Sequence, residues 1–426
     1  MAHMLRNRAV AHEIGVWLFD QAVGTLSMVA GRLSFQYGPG WLIRPEAIAL
    51  SQSLPLGHEP FEDDQCRAFF GGLLPEGNLR RLIAQQCQVS SQNDFALLGA
   101  IGGECAGAIT FVPLGQRPAS AEQASVEWLD ELQLSAVLDE LPRRPMLAGR
   151  DGIRLSLAGA QDKLPVVFDG HRVGLPKGGQ PSTHILKPAI AAVENSVLNE
   201  GFCMALAQVM GMLAAPTQIF TVHGRQVLLV ARYDRRTGQD GQTRRMHQED
   251  FCQALGVVPE MKYQNEGGPD LQACFDLLRK ATRPSAPQVL RLLDAVVFNA
   301  LIGNHDAHAK NFSLLYADPK PTLVPMYDLL STAIYENLAP KMAMKLGSKY
   351  QFDEVHARHW EQFAQAAGLS KAQTKKRVLR TAQDLPGVAR QLQTSAPFAG
   401  QPIVDMIIAL IEQRSAMTAR RLLATA

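Results

Sequence analysis

The sequence predicts an α+β protein of two lobes, a small β-rich lobe and a large helical one, preceded by an additional β-rich N-terminal domain. Three observations predict it. Short strand-like runs (VWLF, VGTLSMV, RLSFQY) open the chain, strand-like runs return between about residues 150 and 231, and helical periodicity dominates beyond residue 245. The expected units are 1–145 (N-terminal domain with helices and a linker), 146–232 (small lobe) and 233–426 (large helical lobe).

In the first unit the alternation is clearest at Leu33, Phe35 and Tyr37, and Gly or Asp-Gln turns separate the runs. DDQCRAFFGGLLPEGNLRRLIAQQ (63–86) reads as helical pieces broken at Pro75-Glu76-Gly77. The glycines of GAIGGECAGAITFVP (99–113) lack the strand–loop–helix context of a phosphate cradle and read as turn or close-packing glycines. PLGQRPASAEQAS (113–125) is a polar linker, and VEWLDELQLSAVLDEL is a short helix. IRLSLAGAQDKLPVVFDGHRVGLP gives two strand-like runs around turn residues, and THILKP (183–188) a short strand ending in lysine. ENSVLNEGFCMALAQVMGM (194–212) is a helix, and TQIFTVHGRQVLLVARYD returns to strands before the helical lobe.

The 426 residues are 46% hydrophobic and 19% charged with a formal net charge of +2, which is ordinary for a globular chain and gives no general pull toward nucleic acid or membrane. The basic run KAQTKKRVLR (371–380) reads as a solvated helix face. Six cysteines without a CxxC pair suggest neither a disulfide scaffold nor a zinc site. MAHMLRNRAVAHEIG has no apolar run of signal-peptide length, and no stretch reaches about 18 uncharged apolar residues, so a cytoplasmic protein without a membrane partner is expected.

The chemistry concentrates in IGNHDAHAKNF (302–312), directly after the apolar run LLDAVVFNAL. Phosphoryl transfer needs a base near the attacking hydroxyl and a metal held on the nucleotide phosphates. Protein kinases meet both needs with an aspartate followed, after four intervening residues, by an asparagine, the spacing of Asp306 and Asn311. Asp328, after the apolar LVPMY, has the place of the second metal-binding aspartate. His308 falls where many kinases put a lysine near the transferred phosphate, and Lys310 is counted with it among the nucleotide contacts. Lys187 would meet the phosphates from its strand, steadied by a helix glutamate, either Glu200 or Glu194. SLAGAQDKL (156–164) fails as a G-x-G-x-x-G match, but a tight turn can still cradle phosphates with its backbone, which places Ser156, Ala158, Gly159, Ala160, Gln161 and Lys163 near ATP. VARYDR, with Arg232, Tyr233 and Asp234, would be the hinge whose backbone pairs with adenine. The expected fold is therefore protein-kinase-like, with ATP and Mg2+ as cofactors.

SLAGAQDKLPV, THILKP, NEGFC, RYDR, MHQEDFCQALG, KYQNEGGPD, GNHDAHAKNFSLLY and YDLLS, in that order, resemble the HipA family of bacterial serine/threonine kinases, the toxin halves of HipBA toxin–antitoxin pairs. SLPL, GLLPEGNLRRLI and GAITFVP are similar to the family's N-terminal domain, so the resemblance spans essentially the whole chain. It implies that Asp306 is the catalytic aspartate, Asn311 and Asp328 the magnesium ligands, and Lys187 the phosphate lysine. It further implies that Ser156, in the nucleotide loop, is autophosphorylated as an off switch, since near two negative charges there would repel ATP and expel the loop. The implied partners are a HipB-like helix-turn-helix antitoxin, operator DNA bound through that complex, and an aminoacyl-tRNA synthetase substrate, glutamyl-tRNA synthetase being the best known. The chain departs from the family at Ala231, where an acidic hinge residue is expected, and in carrying only one serine in SLAG.

Two other readings compete. His305, Asp306 and His308 would be ligands in a metal-dependent phosphohydrolase, which leaves Lys187, Glu200 and Asp328 without purpose. A pseudokinase would only bind its antitoxin and DNA, which leaves the full set of carboxylates unexplained. His356 and His359 lie at i, i+3 with no third ligand nearby, and read as a surface helix pair.

Overall fold

The computed structural model describes residues 12–120, 122–150, 152–317 and 320–424. In the N-terminal unit the strands Arg32–Tyr37, Gln21–Val29, His12–Leu18 and Ile109–Pro113 form, in that order, a four-stranded antiparallel sheet. The period-two pattern turns Leu33, Phe35 and Tyr37 inward. Helices Asp63–Phe70, Gly77–Gln86 and Asp94–Ile101 cover that face, with Phe69, Phe70, Ile83 and Leu98 in a common core with Phe35 and Phe111. The glycine-rich stretch serves close packing: a Cβ on Gly102 would lie 2.5 Å from the Leu98 carbonyl oxygen and 2.6 Å from the Phe111 ring.

The small lobe is a six-stranded antiparallel sheet in the order Ser125–Trp128, Val173–Lys177, Leu164–Phe168, His184–Pro188, Arg225–Ala231, Thr217–Val222. Alternation along Arg225–Ala231 divides its side chains between two cores. Val227 and Leu229 face helix Glu131–Glu140, whereas Leu228 and Val230 join helix Ser196–Val209 and the core of the large lobe. Ser125–Trp128 pairs with Val173–Lys177, and Leu134, Val137 and Leu138 share the small-lobe core. A boundary drawn at 145/146 therefore cuts through one sheet and one core. The polar linker masked this, because the strand after it is an edge strand with no fully buried residue.

The large lobe packs helices Leu271–Ala281, Ala357–Ala366, Lys371–Gln393 and Pro402–Leu423 around Ser285–Ile302, beside a small antiparallel sheet of His247–Asp250, Ser313–Tyr316 and Thr322–Leu323. Among the described residues Ser285–Ile302 alone is long and apolar enough to cross a membrane, yet 61% of it is buried inside the fold. Its Arg291 donates to the Leu323 and Val324 carbonyls, and its Asp294 pairs with Arg377. His359, expected on the surface, is buried, and its Nδ1 accepts from the His356 N–H in a helix-start cap. The whole is a kinase-like pair of lobes with an N-terminal unit set against both.

Candidate active site

The lobes and the N-terminal unit enclose a cleft of about 450 Å³. Its floor is built by the end of the central helix. Gly303 takes φ +78° and returns its N–H to the Asn299 carbonyl, closing the helix. A Cβ there would lie 2.6 Å from Leu410 and 2.8 Å from Ala333, so only glycine fits this turn. The loop that follows is tied at several points. Asn304 Nδ2 donates to Asn299 Oδ1 (2.8 Å) and to the Asp328 carbonyl (3.1 Å), the His305 N–H donates to Thr332 Oγ1 (2.8 Å), and Asn311 Nδ2 donates to the Asp306 carbonyl (2.9 Å). Asp306 is left exposed, its Oδ1 accepting from the Tyr263 hydroxyl at 2.8 Å.

Lys187 projects from strand His184–Pro188 and donates to Glu200 Oε1 at 2.6 Å and to Asp328 Oδ1. Glu200 is buried on helix Ser196–Val209, whereas Glu194 is exposed, so Glu200 is the partner. Burial opposes the charged form of Asp328, but the Lys187 and Lys163 ammonium groups outweigh it and hold the carboxyl at about 2. Burial pushes Glu200 up, since the single ammonium it meets is shared with Asp328. Asp328 adopts φ +52°, a strained conformation for a residue with a Cβ.

Above these groups runs the 156–163 loop. Ala158, Gly159, Ala160, Gln161 and Lys163 line the cleft. The N–H groups of Ala158, Ala160 and Gln161 have no partner among the described residues, which fits a cradle for phosphate oxygens. Asn311 Oδ1 and Asp328 Oδ2 likewise accept no hydrogen bond among the described residues, and two hard oxygen donors suit magnesium. Ser156 does not share the loop's position: it is wholly buried off the cleft wall, and its Oγ donates to the Leu73 carbonyl at 2.9 Å. Its place among the nucleotide contacts is therefore corrected.

Ala231 and Arg232 already spend their N–H groups on the Pro216 and Thr183 carbonyls, while the Tyr233 N–H has no partner among the described residues. Arg232, Tyr233 and Asp234 line the cleft, while the Arg232 and Asp234 side chains pair with each other (2.7 Å) and bond backbone groups of the N-terminal unit. Tyr233 stacks on Tyr327 with ring centroids 5.6 Å apart and donates to Gln248. Lys310 lines the cleft, but its ammonium is held by Asp250 (3.0 Å) and Glu76 (3.6 Å). The phosphohydrolase set does not form. His305 has both ring nitrogens engaged, Nδ1 with the Ala339 carbonyl and Nε2 with Arg414, which removes it as a metal ligand.

Comparison with known proteins decides the family. Residues 14–112 match the HipA N-terminal domain and residues 155–389 the HipA-like C-terminal domain. The chain belongs to the HipA family. It is 45% identical over 388 residues to the putative kinase Y4mE of Sinorhizobium fredii, covering 90% of this chain and 92% of that one. It is 30% identical over 384 residues to the serine/threonine-protein kinase toxin HipA of Shewanella oneidensis, covering 87% and 86%. A solved Shewanella oneidensis complex of HipA, HipB and operator DNA superimposes with a TM-score of 0.85 at 28% identity, over 96% of this chain and 98% of that one. The chain is accordingly a serine/threonine protein kinase; the Shewanella relative is named as one and the Sinorhizobium relative as a putative kinase.

With the HipA fold in view, the sequence did not mark the part that the N-terminal unit takes in the cleft. Gly72, Leu73, Glu76 and Ala106 of the N-terminal unit form one wall of the cleft. The Glu76 N–H donates to the Gly159 carbonyl (3.1 Å), and its carboxylate accepts from Lys262 (2.8 Å). Burial works against the Glu76 charge, but Lys310 and Lys262 hold its carboxyl below the usual range. Tyr263, Asp250 and Lys262 complete the set. The sequence carried them inside longer motifs, Glu76 in GLLPEGNLRRLI, Asp250 in MHQEDFCQALG and Lys262-Tyr263 in KYQNEGGPD, with no spacing that marked them as site residues.

Proposed function

We propose that this kinase is ATP- and magnesium-dependent, that it is the toxin of a type II toxin–antitoxin pair, and that it phosphorylates a serine of an aminoacyl-tRNA synthetase, glutamyl-tRNA synthetase first among the candidates. The observation that carries the catalytic reading is the convergence of the Lys187–Glu200 pair, Asp306, Asn311 and Asp328 on one cleft. Asp306 accepts the proton of the target hydroxyl as the serine oxygen bonds to the terminal phosphorus and the bond to the ADP oxygen breaks. Lys187, fixed by Glu200, orients the phosphates, and the loop amides at Ala158, Ala160 and Gln161 cradle them. Asn311 and Asp328 would hold magnesium, which would neutralise charge on the transferring group.

The toxin role and the partners rest on likeness. The Shewanella relative is named a toxin, and its solved complex contains HipB and operator DNA. A HipB-like antitoxin, with DNA bound through it, is the partner proposed here. Autophosphorylation at Ser156 would act as an off switch, because a phosphate cannot be accommodated in the dry pocket beneath Leu73 and must turn the loop out. The test is incubation of the full chain with magnesium and ATP, followed by mass spectrometry, with Asp306→Asn as control. Phosphate on Ser156 that is lost in the control supports the reading. A chain that neither binds ATP nor gains phosphate overturns it.

A further inference from the structure

KYQNEGGPD has no assigned task, yet the structure places it against the catalytic loop. The Tyr263 hydroxyl donates to Asp306 Oδ1 at 2.8 Å, and Asp306 Oδ2 has no partner among the described residues. An exposed carboxylate without this bond turns freely about its terminal torsion. With it, one oxygen is fixed and the other is presented to an acceptor hydroxyl. We infer that Tyr263 is a positioning residue for Asp306, and that Glu76 of the N-terminal unit holds it in place through Lys262. The inference rests on the kinase reading above.

The arm that carries Tyr263 is pinned rather than hinged. The Gln264 N–H donates to the Ala343 carbonyl (3.2 Å), and the Lys345 N–H donates to Gln264 Oε1 (2.7 Å). The Ala343 N–H in turn donates to the carbonyl of His305, one residue before the catalytic aspartate (2.7 Å). The turn behind the arm closes with the Gly268 N–H on the Tyr263 carbonyl (2.9 Å), and a Cβ on Gly268 would lie 2.1 Å from the Met261 carbonyl oxygen. The ring stands edge-on to His308, with centroids 5.2 Å apart at 76°. On its other side the Lys262 ammonium lies 5.4 Å from the ring centroid and bonds Glu76 Oε2 at 2.8 Å. Burial, reinforced by the Asp306 charge, keeps the phenol protonated well above the ordinary tyrosine range, so it remains a donor at every working pH. A gate over Asp306 would have to leave. This segment is fastened to the catalytic loop, to the 343–345 segment and to another unit of the chain.

Glu76 therefore links the N-terminal unit to the orientation of the catalytic base. The experiment uses the full chain and measures phosphate incorporated from magnesium–ATP as a function of ATP concentration, beside a thermal melt. Tyr263→Phe is expected to lower the maximal rate about tenfold with the ATP concentration at half-maximal rate unchanged within about twofold. Lys262→Met should lower it about threefold, Lys262→Arg should restore most of the loss, and Tyr263→Phe combined with Lys262→Met should be no slower than Tyr263→Phe alone. That non-additivity with an unmoved melt is what a merely structural role would not give. A rate that is unchanged or raised in Tyr263→Phe, or losses that multiply in the pair, would overturn the inference while the kinase reading stands. A wild-type chain that incorporates no phosphate brings down the kinase reading and this inference together.

Discussion

The Lys187 ammonium lies 2.6 Å from Glu200 Oε1 and also bonds Asp328, so one cation from the small-lobe sheet joins the small-lobe helix to the segment of the large lobe that carries Asp328. Lys187 and Glu200 are both buried, and removal of one partner leaves the other's charge unpaired in the interior. Lys187→Met is therefore expected to cost about 3–5 kcal/mol of stability and to abolish ATP binding. Lys187→Arg should recover stability without recovering full activity, because a planar guanidinium does not replace a point charge. Glu194→Gln, on the exposed alternative, should change neither. Urea unfolding and nucleotide titration on the three variants check this.

The contrast between Glu200 and Tyr263 shows what the sequence revealed. Lys187, Glu200, Asp306, Asn311 and Asp328, which the structure brings to one cleft, were legible because each lies in a short motif on one strand, one helix or one of two loops. The strand and helix alternation behind them was legible for the same local reason. Glu76 meets Lys262 across 186 residues of chain, and Tyr263 meets Asp306 across 43. Nothing periodic links such positions; packing of whole units brings them together. Ser156 was misplaced among the nucleotide contacts because a loop motif gives its neighbours but not which side chain turns inward. Ser125–Trp128 was divided between the end of the linker and the start of the helix, because a half-exposed edge strand carries little hydrophobic signal.

Ser156 supplies the second expectation. Its hydroxyl donates to the Leu73 carbonyl in a site with no exposure, and the loop beyond it is fastened by the Glu76 N–H on Gly159. A carboxylate there is buried without a donor, so Ser156→Asp should displace the loop and weaken ATP binding by about tenfold or more. Ser156→Ala should keep affinity within about twofold and prevent self-silencing. Calorimetry with ATP, and hydrogen exchange over 156–163, report both effects.

Glu249 predicts a pH dependence. It is wholly buried between the N-terminal unit and the small sheet of the large lobe, and burial raises its carboxyl to about 7 despite hydrogen bonds from Ser51, Tyr316 and the Gln52 N–H. The folded state holds this proton more tightly than the unfolded chain. Its contribution to stability is therefore complete below about 4.5 and is lost as pH rises through about 7, with a slope of at most about 1.4 kcal/mol per pH unit in between. Glu249→Gln keeps the hydrogen-bonding shape without the titration. Its stability should be flat across that window where the wild type declines, as measured by denaturant midpoints at a series of pH values.

Glu104 argues the opposite sign. It leaves the N-terminal unit to meet Arg235 at 2.8 Å, Arg232 at 3.3 Å and Arg245 at 2.5 Å, and it also accepts from the Ser182 hydroxyl and N–H of the small lobe. Burial disfavours its charge, but the three guanidinium groups prevail and hold the carboxyl at about 2. Its stabilisation is therefore present above the unfolded value near 4.5 and is lost as pH falls through about 2, on the order of 3 kcal/mol in all. Glu104→Gln leaves Asp234 as the one carboxylate among these arginines and should lose about 3–5 kcal/mol at neutral pH. Because Arg232 belongs to the hinge, the same change should weaken ATP binding even though Glu104 lines no part of the cleft. Unfolding at neutral and acid pH separates the two effects: the variant's deficit should shrink as the wild type's own Glu104 becomes protonated. A deficit that stays constant down to pH values near 2 would mean that packing, and not this charge cluster, fastens the N-terminal unit to the hinge.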